Sequence, residues 1–86
     1  MRILLVEDDE KLKEALCFQL QKEGIKTDSC TDGEEALYYI RQGIYDLILL
    51  DRMLPLLDGA SVLAQMRREG FQTPVILITA LGALED

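Results

Sequence analysis

The sequence contains no histidine, and only two of its 86 residues are cysteines. Without an imidazole, the chain cannot build a Ser-His-Asp triad or use histidine as a general base. Two cysteines alone supply too few ligands for a zinc site, and a catalytic cysteine would lack its histidine base. Cys17 and Cys30 are therefore expected to be reduced thiols of a cytoplasmic protein.

Basic side chains are also few, since 9 Lys and Arg stand against 16 Asp and Glu and the formal net charge is −7. A chain this acidic lacks the basic face needed to contact nucleic-acid phosphates or a membrane surface. Its apolar runs reach about five residues, far short of the ~20 that span a bilayer. Charges at Arg2 and from Glu7 to Lys11 predict that there is no signal peptide. We expect no contact with a membrane and, for this segment alone, none with DNA.

Four strand patterns alternate with three helical patterns. Strands are predicted to begin near residues 3, 25, 46 and 74, and a glycine follows each helical pattern. This alternation predicts an α/β fold with a parallel sheet that helices cover on both faces. Three strands are apolar throughout, whereas Ile25–Cys30 mixes polar and apolar residues, so we place it at an edge of the sheet.

Local patterns predict where the helices begin and which faces they bury. The first helix has an apolar face with helical spacing. Its members are Leu12, Ala15, Leu16 and Leu20. Thr31–Glu34 matches a capping box with Thr31 as the N-cap of the second helix, and Asp58 is predicted to cap the third. Ala80–Asp86 is expected to begin another helix.

The last strand, Val75–Thr79, has the composition of an interior strand, although nothing after it could pair with its outer side. A long apolar edge strand promotes association between chains. The pattern therefore predicts that these 86 residues stop before the fold is complete. It also predicts that the fragment self-associates, as a dimer, through this strand and the apolar surface beside it.

Carboxylates follow two of the apolar strands. Glu7 and Asp8 come directly after the first strand, and Asp51 comes after the third. Because all carboxyl ends of a parallel sheet lie along one edge, adjacent strands would bring these three side chains together. Oxygen ligands without histidine or cysteine suit Mg²⁺, which would relieve their repulsion. The alternative, acids at a solvated helix start, stays open for this group and is preferred for Asp9 and Glu10.

These residues resemble the receiver domain of bacterial two-component response regulators, above all the subfamily with a winged-helix DNA-binding output domain. The resemblance covers the whole chain and rests on four segments in order. They are Ile3–Asp9, Asp51–Pro55, Asp58–Gly59 and Pro74–Ala80. It implies a flavodoxin-like, doubly wound parallel sheet with strand order 2-1-3-4, of which the fifth strand and last helix are missing here.

The resemblance also implies a role for each matching residue. Asp51 would be the phosphoacceptor, which takes a phosphoryl group from a sensor histidine kinase. Asp8 and Asp51 would coordinate Mg²⁺, Glu7 would act through a bound water, and the backbone carbonyl of Met53 would be a further ligand. Thr79 would be the switch hydroxyl that turns towards the phosphoryl group. Positioning and neutralisation of charge by a cation are what phosphoryl transfer mainly requires.

One departure from the family is that its lysine at the end of a fifth strand is absent, since the last lysine is Lys26. Residues 1–86 are accordingly interpreted as a partial receiver domain that contains no output domain. The longer protein to which they belong would bind DNA only through such an output domain. We expect the fragment to be phosphorylated more slowly than its parent.

Three functions compete with this interpretation. The domain is not expected to be an enzyme beyond its own phosphorylation and dephosphorylation. A haloacid-dehalogenase-like phosphatase needs a second aspartate where this chain has Met53, and a dinucleotide-binding domain needs a glycine-rich turn after the first strand. The remaining alternative is a pseudo-receiver that cannot be phosphorylated and serves as an interaction module.

Overall fold

The computed structural model describes residues 1–78 and the backbone of residues 84 and 85. Four strands and three helices alternate along residues 1–78, and a two-residue strand follows. The elements are β1 (Arg2–Val6), α1 (Glu10–Lys22), β2 (Lys26–Cys30), α2 (Gly33–Ile40), β3 (Leu47–Asp51), α3 (Gly59–Arg68), β4 (Val75–Ile78) and β5 (Leu84–Glu85). No helix among the described residues is long and apolar enough to cross a membrane.

The strands form one sheet in the order β2-β1-β3-β4-β5, and the first four are parallel. The predicted order 2-1-3-4 and the edge position of the mixed strand β2 are therefore confirmed. The register places Val6 beside Leu50 and beside Cys30, and it places Asp51 beside Ile78. β1 and β3 consequently end next to each other at the carboxyl edge.

β5 runs antiparallel to β4, and its two residues pair with Leu77 and Ile78. The prediction of a helix over Ala80–Asp86 is therefore wrong for residues 84 and 85, which are extended. The expectation that β4 has no neighbour on its outer side is also corrected, because β5 pairs with Leu77 and Ile78 there. Thr79 lies outside the described residues.

The core lies between the sheet and helices α2 and α3. Alternate residues of β1 and β3, such as Leu4, Val6 and Leu50, are buried in one cluster that includes Val62 and Met66 of α3. The other residues of β1, Ile3 and Leu5, are equally buried on the opposite face of the sheet. Burial on both faces explains why the central strands are apolar throughout.

Helix α1 contributes no buried residue. Of its predicted apolar face, Leu16 and Leu20 are half-buried, whereas Leu12 and Ala15 are exposed. The helix packs against β1 and β2, and Leu12 is 46% exposed. Phe18 is also 66% exposed, so apolar surface remains uncovered on this helix.

An aspartate caps each of the three helices. Asp9, Asp32 and Asp58 accept the backbone N–H of Leu12, Glu35 and Ser61, respectively, at 2.8–3.1 Å. The prediction for Asp58 is confirmed. The predicted cap of α2 is wrong by one residue, because Asp32 rather than Thr31 is the N-cap.

Thr31 instead binds the helix from one position further out. The carboxylate of Glu35 accepts both its backbone N–H at 3.2 Å and its hydroxyl at 3.0 Å. A carboxylate caps a helix at least as well as a hydroxyl does, so Asp32 is the N-cap residue. Thr31, one residue earlier, donates its backbone N–H to the Glu35 carboxylate, as the N-cap residue does in a standard capping box.

The amino edge of the sheet, opposite the strand-end acids, is fastened by a polar group. The hydroxyl of Tyr45 donates to Asp28 Oδ2 at 2.6 Å, and Arg2 Nε donates to the same oxygen at 3.3 Å. These two bonds lower the pKa of Asp28 while burial opposes them. The arrangement ties β1, β2 and the start of β3 together.

Replacing Tyr45 with phenylalanine should lower the free energy of unfolding by about 1–2 kcal/mol, because Asp28 keeps its charge but loses its shortest hydrogen bond. Chemical denaturation followed by circular dichroism measures this change. Tyr38→Phe is the matched control, since Tyr38 is 65% exposed and should lose little. Equal losses in the two variants would contradict the role assigned to the Tyr45 hydroxyl.

Candidate functional site

Three carboxylates meet at the carboxyl edge of the sheet. Asp51 is the last residue of β3 and Glu7 follows β1, so the adjacent strands carry both to the same point. One oxygen from each of Glu7, Asp8 and Asp51 lies within 4.8 Å of the others. The structure thus brings together the three acids that the sequence singles out. Thr79, another candidate, lies outside the described residues.

The three acids differ in exposure. Glu7 is 6% exposed and Asp51 is 9% exposed, and they are the two buried charged residues among those described. Asp8 is exposed. Two of the three carboxylates are therefore buried and one is exposed, so the cluster is accessible from solvent on the side of Asp8.

Backbone N–H groups fix the two buried carboxylates. Asp9 N–H donates to Glu7 Oε2 at 3.0 Å, and Met53 N–H donates to Asp51 Oδ1 at 3.1 Å. The backbone N–H of Glu7 donates in turn to the carbonyl of Cys30 at the end of β2. The sequence does not predict the hydrogen bond from the Asp9 N–H to Glu7. The Asp9 side chain indicates a helix start, and the spacing of residues carries no information about its backbone N–H.

The environment opposes charge on Glu7. Burial, followed by repulsion from Asp51 and hydrogen bonds with Asp51 and Asp8, raises its pKa from 4.5 to about 7, and the N–H of Asp9 opposes this rise. Near neutral pH, the negative charges of the cluster are therefore not balanced by any positive charge among its members. Burial likewise raises the pKa of the neighbouring Cys30 thiol to about 12, so this cysteine is an inert neutral group.

The donor set fits a small, hard divalent cation. All the side-chain donors are carboxylate oxygens, and no histidine or cysteine sulfur competes among the described members of the cluster. A cation would also remove the repulsion that raises the pKa of Glu7. The residues present therefore suit Mg²⁺ or a similar ion, bound by a few carboxylates and water.

A loop of residues 52–58, the β3–α3 loop, leads from Asp51 to α3. The N–H of Gly59 donates to the carbonyl of Arg52 at 3.0 Å, and a Cβ on Gly59 would collide with the carbonyl of Asp51. Within the loop, Met53 and Leu56 are 64% and 72% exposed. The loop that follows Asp51 thus exposes two large apolar side chains to solvent.

Replacing Glu7 with glutamine should stabilise the protein by about 1–2 kcal/mol at pH 8 in the absence of divalent cations. The folded state of the parent holds a proton on Glu7 more tightly than the unfolded state does. Its contribution to stability is therefore complete below pH 4.5 and is lost as the pH rises through about 7. Glutamine does not titrate, so the gain should appear only above pH 4.5.

Denaturation curves between pH 4 and pH 8 measure the effect of Glu7→Gln, and Glu14→Gln on the exposed surface of α1 is the control. Saturating Mg²⁺ should reduce or reverse this gain, since a bound cation stabilises the unsubstituted chain more than the variant, which lacks one carboxylate of the cluster. A Glu7→Gln chain that is no more stable than its parent at pH 8 would show that Glu7 is not under electrostatic stress.

Comparisons with known proteins agree with this geometry. The family model of the response regulator receiver domain matches residues 3–86. The chain is 46% identical over 86 residues to the transcriptional regulatory protein DltR of Streptococcus agalactiae, covering 100% of this chain and 38% of that protein. It is 46% identical over 85 residues to the transcriptional activator protein PfeR of Pseudomonas aeruginosa, covering 99% of this chain and 28% of that protein. The chain therefore spans well under half the length of these relatives.

Solved structures give the same result. The receiver domain of the Francisella response regulator 1452 superposes with a TM-score of 0.90 at 38% identity, covering 95% of this chain and 68% of that one. The response regulator TrrA of Thermotoga maritima, solved in complex with Mg(2+)-BeF, gives 0.85 at 39% identity, covering 92% and 69%. By sequence and by fold, the chain belongs to the response regulator receiver domain family.

Proposed function

We propose that Asp51 accepts a phosphoryl group from a sensor histidine kinase in a reaction that requires Mg²⁺. The observation that carries this proposal is the convergence of Asp51 with Glu7 and Asp8, whose oxygens lie within 4.8 Å of one another at the carboxyl edge. Asp8 and Asp51 would hold the cation directly, Glu7 would do so through water, and the carbonyl of Met53 would be a further ligand. The Mg(2+)-BeF complex of the relative TrrA supports this assignment.

The protein's own residues contribute position and burial. Met53 N–H holds Asp51 Oδ1, so the rotation of the accepting carboxylate is fixed before the reaction. A carboxylate oxygen forms the new P–O bond while the P–N bond to the kinase histidine breaks. Mg²⁺, when bound, supplies the positive charge that offsets the charge on the phosphoryl oxygens. Glu7 and Asp8 keep that charge at the end of β1.

The wider role of the parent protein is proposed from its relatives. DltR and PfeR are named as transcriptional proteins, and each is much longer than this chain. Residues 1–86 are then part of a receiver domain that controls a DNA-binding output domain in the cytoplasm. The receiver performs only its own phosphorylation and dephosphorylation and is not otherwise an enzyme. By the family resemblance, Thr79 would be the hydroxyl that responds to the phosphoryl group.

Incubation with a small acyl phosphate and Mg²⁺ should add one phosphoryl group to the chain, and the Asp51→Asn variant should gain none. The amide of asparagine cannot form the acyl phosphate, although it fills the same space. Intact-mass spectrometry reads out the addition, and omission of Mg²⁺ should suppress it. Asp58→Asn is the matched control, because asparagine caps a helix as well as aspartate does.

If Asp51→Asn is phosphorylated at the same rate as the unsubstituted chain, the phosphoacceptor is a residue other than Asp51. A parent chain that gains no phosphoryl group, even when extended by the rest of the receiver domain, would favour the alternative of a pseudo-receiver that acts as an interaction module. The extended chain is included because the family lysine is absent from these 86 residues.

We further propose that this chain self-associates as a dimer. Helix α1 has no buried residue, and Leu12 and Phe18 on it are 46% and 66% exposed. Along the outer edge of β4, the pairing with β5 covers only Leu77 and Ile78. Apolar surface and a partly paired strand edge both favour contact with a second copy.

Phe18→Ser should shift the equilibrium towards monomer, because it removes apolar area that a dimer would bury. Light scattering at several protein concentrations measures the shift. Tyr38→Ser is the control, since Tyr38 is equally exposed, at 65%, but lies on α2. A parent chain that stays monomeric at high micromolar concentration would refute the dimer, and an equal shift in both variants would place it elsewhere.

A further inference from the structure

The amino end of α2 touches the β3–α3 loop at Gly33. A Cβ built on Gly33 would collide with the carbonyl oxygen of Leu57 and would lie 2.7 Å from its carbonyl carbon and its Cβ. The group in the way is backbone, which cannot swing aside as a long side chain can. Glycine is therefore required here because the two segments approach so closely.

The turn that rests on Gly33 is strained. Leu57 N–H donates to the carbonyl of Pro55 at 2.7 Å across Leu56, whose φ is +68°. A bond from one residue to the next but one around a positive φ is the mark of a classic γ-turn, which is rare and strained. A leucine held at positive φ persists only where its surroundings enforce it. Gly33 is part of those surroundings, because its N–H donates to the same Pro55 carbonyl at 3.3 Å.

The strained turn lies between two fixed points. Asp51 anchors one end of the loop in β3, and Gly59 anchors the other end against the carbonyl of Asp51. If a side chain at position 33 pushed Leu57 outward, these ends could not follow. The displacement would then fall on the segment that includes Met53, whose N–H holds the Asp51 carboxylate.

We propose that Gly33 is a positioning residue for the phosphoacceptor site, because it lets α2 hold the β3–α3 loop in the strained turn that places Met53 against Asp51. This inference rests on the proposed function. Gly33 touches neither the acidic cluster nor a ligand, and it acts through the backbone of Pro55 and Leu57.

Gly33→Ala should weaken Mg²⁺ binding roughly tenfold or more, which is the scale seen when residues that support metal ligands are replaced. The rate of phosphorylation by a small acyl phosphate should fall by a similar factor at saturating Mg²⁺. NMR spectra of the metal-free chain should show shifted amide signals at Met53 and Leu57. Mg²⁺ titration followed by NMR measures the affinity, and mass spectrometry measures the rate.

Gly43→Ala is the matched control, because Gly43 follows the other end of α2. It has φ +71° and nothing within 4 Å of its built Cβ. Alanine there introduces backbone strain and some loss of stability but cannot displace the loop. Its Mg²⁺ affinity and loop signals should match those of the parent.

The two proposals can fail separately. If the unsubstituted chain is never phosphorylated, even when extended by the rest of the receiver domain, the proposed function is refuted, whereas the amide signals of the loop still test Gly33. Gly33→Ala with the parent's Mg²⁺ affinity, or with signals shifted only near residue 33, overturns the positioning role. If the variant unfolds, the titration is repeated in trimethylamine N-oxide, which favours compact states. A variant that folds in neither medium also overturns the proposal, because Gly33 would then serve the fold as a whole.

Discussion

The repulsion among Glu7, Asp8 and Asp51 is the constraint on which the functional end of this molecule depends. Two of these carboxylates are buried, and they converge because β1 and β3 are neighbours in the sheet. The core between them and α3 holds the strands in register whether or not the acids repel. Hydrophobic burial in β1 and β3 thus sustains an electrostatic arrangement that no element would adopt on its own. Burial is the main cause of the raised pKa of Glu7, and repulsion from Asp51 adds to it.

This repulsion, together with burial, explains why the site suits a cation. Without a cation, a proton on Glu7 relieves the repulsion, and because the pKa of Glu7 is about 7 this proton is lost as the pH rises above that value. Backbone N–H groups from Asp9 and Met53 satisfy one oxygen each but add no full positive charge. The carboxylates are therefore held in place by hydrogen bonds, but no positive charge among the members of the cluster balances them. A cation should bind to such a preorganised site with little reorganisation. Stability near neutral pH and affinity for a cation oppose each other here.

The sequence predicts those features that depend on strong local or periodic signals. Continuous apolar runs predict β1, β3 and β4, glycine follows each helix, and the mixed composition of Ile25–Cys30 predicts an edge. The sequence also predicts the acidic cluster, because the strand ends of a parallel sheet share an edge. Other features depend on distant contacts. Leu12 and Leu16 have the same spacing signal, but Leu16 is half-buried whereas Leu12 is exposed. Likewise, the return of residues 84 and 85 as a strand depends on β4 and not on their own composition.

The glycines show most clearly where sequence reasoning stops. Gly43 and Gly70 follow helices at φ of +71° and +92°, a need that position alone predicts. Gly33 and Gly59 meet a different need, since Gly33 makes room for the backbone of Leu57 and Gly59 makes room for the backbone of Asp51 and Arg52. Nothing in the residues around Gly33 shows that Leu57 will lie there. Gly59 ends the loop in which Leu56 is held at positive φ, and Gly33 contacts the same loop from α2, so a side chain at either position would disturb the strained turn. The geometry of the acidic site is thus determined as much by two absent side chains as by the carboxylates themselves.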